Sequence, residues 1–71
     1  MLNSEMIKAR MKEKNVTQKD IAGILGIATP TVSQKINGVR PMDLEEARRI
    51  AEKLDIVPSE FGRYFFGTTV A

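Results

Sequence analysis

The sequence predicts an all-α fold in which five short helices close around one small core, the second and third joined by a tight glycine turn. Three observations predict it. Apolar residues recur at helical spacing in successive stretches of the chain. Helix-starting residues stand ahead of those stretches, at Thr17, Thr29-Pro30, Asp43 and Pro58. Gly26 and Asn37-Gly38 stand where two of the stretches stop, and glycine there ends a helix cheaply through a left-handed backbone.

Each element follows from its own residues. Asn3 or Ser4 caps a first helix running to about Lys14. Ile7 and Met11, four apart, face inward with Met6 and Ala9 beside them, and Lys8, Lys12 and Lys14 lie on the solvent side. Asn15 ends that helix, and Val16 packs at the entry to the next. The second helix, Gln18 to Leu25, has Thr17 as its cap and Ile21, Ala22, Ile24 and Leu25 as an apolar stripe. After Gly26 the third helix starts at Thr29-Pro30, a capping threonine followed by a proline that loses no hydrogen bond at the first helical position. Val32 and Ile36 point one way along it; Pro30, Ser33, Gln34 and Asn37 fall on roughly the opposite face.

Residues 39–42 form a loop, because Pro41 disfavours helix before it. Asp43 opens a capping box with Glu46, and Leu44, Ala47, Ile50, Ala51 and Leu54 form the buried face of a fourth helix. Glu45–Arg49 and Arg48–Glu52 pair along its solvated side. Pro58 fits the first position of a fifth helix ending near Phe66. Phe61 and Phe65 share a face and close the core. A helix this short leaves apolar surface at Tyr64 and Phe66, and such patches mark interfaces, so Tyr64, Phe65 and Phe66 are the candidate homodimer contacts within a dimerisation region at 58–71. The tail, residues 67–71, is equally suited to fraying and to pairing as a strand.

Length and composition bound the function. Seventy-one residues make one domain, 1–71, whose single core contributes only ~3–5 kcal/mol net, so dimerisation is a natural support. The chain has no cysteine and no histidine, which excludes disulfides, thiolate chemistry and the commonest zinc sites. With carboxylates mostly on helix surfaces, no nucleophile–base pair is visible; the expectation is a non-enzyme without cofactor, metal or small-molecule ligand. No apolar run approaches the ~20 residues of a membrane span and no signal-peptide pattern opens the chain, so no membrane partner and a cytoplasmic location are expected. The net charge of +2 is unevenly spread: residues 1–40 carry seven basic side chains against three acidic, residues 41–71 four against six. The basic half holds the two helices around the glycine turn, as phosphate binding would ask, although a chance split of a mixed surface gives the same pattern.

The stretch Thr17 to Gly38 resembles the helix-turn-helix of the lambda-repressor and Cro family. The matching positions are Gln18 at the start of the first motif helix, Ala22 where the two helices meet, Gly26 in the turn, Val32 in the second helix and the closing Asn37-Gly38. The resemblance runs from about Met6 to Phe65. It implies a lambda-repressor-like domain bound to double-stranded DNA, with Thr29, Pro30, Ser33 and Gln34 at the major-groove edge. Gln34 can pair its amide with adenine, and Pro30, a departure from the polar residues common there, offers only apolar contact. Gln18 is similar to the family glutamine that binds phosphate at a helix amino end; Thr17, Lys35, Asn37 and Arg40 are the other phosphate candidates. Local capping is the competing role for Gln18 and Asn37, and a solvated loop charge that for Arg40. Many family members have an arginine where Met11 stands and a glutamate where Ile36 stands. Apolar replacement of such a buried pair is often neutral or stabilising, so the fold survives it, but a phosphate contact by that arginine is lost.

The resemblance thus implies a transcriptional regulator. The expected form is a Cro-like or small phage-type repressor, dimeric on a pseudo-palindromic operator and acting by occlusion, since nothing in the chain looks like an effector domain. The competing expectation is a protein-interaction module on the same fold, antitoxin-like or anti-repressor-like. A polar, uncharged face on the second motif helix favours bases over protein.

Overall fold

Spacing decides which face of each segment turns inward, and the computed structural model, which describes residues 2–66, forms five helices from that spacing with no strand among the described residues. They are α1 (Ser4–Glu13), α2 (Gln18–Leu25), α3 (Thr29–Ile36), α4 (Leu44–Lys53) and α5 (Pro58–Phe65). α2 packs on α3 and α4, and α1 on α5. Their inward residues merge into one core built around Ile7, Ile21, Val32, Ile36, Ile50 and Leu54, with Met11, Val16 and Phe65 among its other members. Met11 and Ile36 are both buried in it, so apolar packing stands where the family's ion pair would stand. The tail at 67–71 lies outside the described residues.

Four helices end alike; α2 does so through Gly26 (φ 69°), with the Ile27 amide donating to Ala22 O at 3.1 Å. After α1, α3 and α4 the chain turns through a left-handed residue, Asn15 (φ 55°), Gly38 (φ 78°) and Asp55 (φ 54°). The next amide then reaches back: Val16 N–H to Met11 O, Val39 N–H to Gln34 O and Ile56 N–H to Ala51 O, at 2.8–2.9 Å. These bonds satisfy carbonyls that a helix end would otherwise strand. Asparagine and aspartate tolerate that conformation better than other non-glycine residues, so glycine stands at only two of the four ends.

Four sequence expectations are corrected. α3 begins one residue earlier than expected. Ala28, not Thr29, is the flanking residue, and its carbonyl closes the first turn by accepting from the Thr31 and Val32 amides, with no side-chain cap. Leu44 is 61% exposed. It is the first residue of α4, and helical side chains lean toward the amino end, so it projects past its helix rather than onto the core. Ala9 is exposed because it lies two positions from both Ile7 and Met11, on the far side of α1. Phe65, expected both to close the core with Phe61 and to reach a dimer surface, does the first: it is a core residue at 5% exposure, stacked on Phe61 with ring centroids 4.8 Å apart.

Two surface carboxylates tie stability to pH. Asp20 accepts the Thr17 backbone N–H at 2.9 Å, completing a reciprocal capping box, and this bond foremost holds its pKa below the ordinary value. Asp55 meets the Lys14 ammonium at 2.8 Å, and that hydrogen bond and charge lower its pKa likewise. Both groups are more acidic folded than unfolded. Their contribution is therefore complete above the unfolded carboxylate value and is lost as pH falls through the folded ones. Acid titration of the unfolding midpoint is expected to show this loss, and Asp20→Asn with Asp55→Asn should flatten it; an unchanged acid limb in the double variant would refute the assignment.

Candidate nucleic-acid interface

A helix can be presented to a ligand only if its opposite face is anchored, and α3 is anchored on several sides. Val32 and Ile36 are buried at 1% and 0% exposure. Gly26, at φ 69°, makes the α2–α3 turn, and its amide and that of Ile27 both donate to Ala22 O. At the carboxyl end the Ser4 hydroxyl donates to Ile36 O, which joins α1 to α3.

The outward face of α3 carries Thr29, Pro30, Gln34 and Asn37 exposed and Ser33 half-buried. All five are uncharged. Because Thr29 does not cap its helix, its hydroxyl remains available to a partner. Gln34 forms no side-chain hydrogen bond among the described residues. Its backbone carbonyl accepts from Val39 and Arg40 at 2.8 and 3.2 Å, folding the loop back against the helix. Asn37 turns its amide onto Ser33, donating to the carbonyl at 2.9 Å and the hydroxyl at 3.3 Å. Asn37 therefore caps α3 in the free protein, the competing role named above, and Ser33 is already partly engaged.

The amino end of α2 supplies the second part of the surface. Thr17 accepts the Asp20 N–H at 3.1 Å through Oγ1, and Gln18, half-buried, opens the helix beside it. A threonine hydroxyl that accepts one bond still has its own proton to donate. Arg40, in the loop after α3, is exposed, and its side chain has no partner among the described residues.

The basic half of the sequence is less free than its composition implies. Arg10 donates to Leu54 O at 2.9 Å and Asp55 O at 3.1 Å, capping the carboxyl end of α4 from α1. Lys14 is paired with Asp55. Lys35, expected on a phosphate, instead donates to Glu46 Oε1 at 2.9 Å and Pro41 O at 3.1 Å. Two of the three ammonium protons are therefore engaged inside the molecule. Lys8, Lys12, Lys19 and Arg40 remain exposed. The internal roles of Arg10 and Lys35 join residues tens of positions apart or across a loop, and no local spacing signals them.

The geometry is that of two helices meeting at a glycine turn, the second held by its apolar side with an uncharged polar side outward. A helix-turn-helix family model matches this chain over residues 7–61, which covers the two motif helices and their supports. The chain belongs to the Cro-type helix-turn-helix family. No curated protein and no solved structure matches it. As a family member it is a DNA-binding helix-turn-helix regulator, with α2 and α3 as the motif helices. No helix among the described residues is long and apolar enough to cross a membrane.

Proposed function

We propose that this single-domain protein is a Cro-like transcriptional repressor of the small phage type that acts in the cytoplasm. It binds a pseudo-palindromic operator as a homodimer, with α3 in the major groove. Thr29, Pro30, Ser33 and Gln34 meet base edges; Thr17, Gln18 and Arg40 meet the backbone, joined by Asn37 if its amide leaves Ser33. The observation that carries the reading is the uncharged α3 face, with Gln34 exposed and unengaged on a helix whose other side is buried. Amide side chains presented this way suit bidentate pairing with adenine. Random-site selection on duplex DNA followed by footprinting tests it. The expected product is two half-sites about one helical turn apart. Failure to bind any duplex at low salt would replace it with a protein-partner role.

For the dimer, Phe66 is 49% exposed and packs edge-on against Phe61, ring centroids 5.7 Å apart, with Tyr64 half-buried beside it. Phe66→Glu is expected to give folded monomers that bind the operator weaker by a factor on the order of a hundred, since each half-site then acts alone. Sedimentation showing the unaltered protein monomeric at about tens of micromolar would overturn this.

A further inference from the structure

Of the ion pairs among the described residues, Lys35–Glu46 is the most enclosed, with side chains only 15% and 18% exposed. It joins the last turn of α3 to the first turn of α4. One carboxylate oxygen, Glu46 Oε1, accepts both the Lys35 ammonium at 2.9 Å and the Asp43 backbone N–H at 3.1 Å. The same ammonium donates to Pro41 O. The loop between the two helices is therefore fastened at both ends: Gln34 O holds the Val39 and Arg40 amides, and Lys35 holds Pro41 and Glu46. Arg40 stands between the fastenings with its side chain exposed.

We propose that Lys35 and Glu46 are positioning residues that fix the Arg40 loop for contact with a DNA phosphate. This rests on the DNA-binding reading above. Ordering a loop on binding reduces affinity, and a loop already held in place avoids that loss. Lys35 thus serves DNA binding through the loop, without touching the DNA.

The sign of one substitution separates this role from simple electrostatics. Glu46→Gln removes a negative charge, and on charge alone the variant should bind DNA more tightly. With the clamp gone, it is instead expected to bind both selected and scrambled duplex roughly three- to tenfold more weakly at about 0.1 M salt, the scale of one phosphate contact. Glutamine still serves in a capping box, so α4 keeps its start. Lys35→Met should weaken binding similarly, Lys35→Arg should retain it, and both losses should vanish in an Arg40→Ala background. Equal or tighter binding by folded Glu46→Gln overturns the proposal and leaves the DNA-binding reading standing. So does a Lys35→Met loss that persists without Arg40, which would put Lys35 itself on a phosphate. An unaltered protein that binds no duplex overturns both. Should Lys35→Met fail to fold, Glu46→Gln decides alone.

Discussion

Ile36→Ala is expected to destabilise the protein by ~2–5 kcal/mol, most or all of the net stability of a domain this small. Ile36 is fully buried, and its side chain lies in the core shared by α1, α2, α3 and α4. Truncation leaves a cavity walled by helix side chains that cannot collapse without moving a helix. Its carbonyl also receives the Ser4 hydroxyl, so a shift of the α3 end would strain that bond as well. Ile36→Val, which removes one methylene, should lose only ~0.5–1.5 kcal/mol. Chemical denaturation of the three proteins checks the series. A midpoint unchanged in Ile36→Ala would remove Ile36 from the core and, with it, the account of how apolar residues stand in for the family's ion pair.

What the sequence made legible, and what it did not, divides by range. Thr17, Gly26, Asn37-Gly38 and the Asp43–Glu46 box act within one helical turn of their own positions, and each was readable from residue type and spacing. Val32 and Ile36 likewise follow from the four-residue interval. Leu44 was misread because periodicity treats a helix as endless, whereas its first residue leans into solvent. Phe65 was rightly paired with Phe61 in the core, but its place among the dimer candidates came from reading three adjacent aromatics as one patch, although successive helical residues point about 100° apart and only Phe65 turns fully into the core. Lys35–Glu46 and Arg10–Leu54 were illegible for a different reason. They depend on the path of the chain between the partners, and a charge on a helix looks the same in sequence whether it meets water, a carbonyl or a phosphate.

Gln34→Ala is expected to weaken operator binding by ~1–3 kcal/mol per half-site, twice that for a dimer, while sparing binding to scrambled duplex. Preference should relax at one base pair in each half-site. The exposed amide on α3 is the group suited to base reading, and alanine removes that pairing without disturbing Val32 or Ile36 behind it. Gln18 gives the contrast. It opens α2, and in the proposed complex it meets a phosphate there, so Gln18→Ala should weaken all sequences by a similar factor and leave preference intact. Its amide is uncharged, and the salt slope should barely change. Arg40→Ala should lower that slope by about one per site. Titrating each variant against selected and scrambled duplex at several salt concentrations separates the three roles. If Gln34→Ala weakens both duplexes equally, α3 does not read bases through this residue. If every variant stays folded and none alters DNA binding, the α3 face belongs to a protein partner instead.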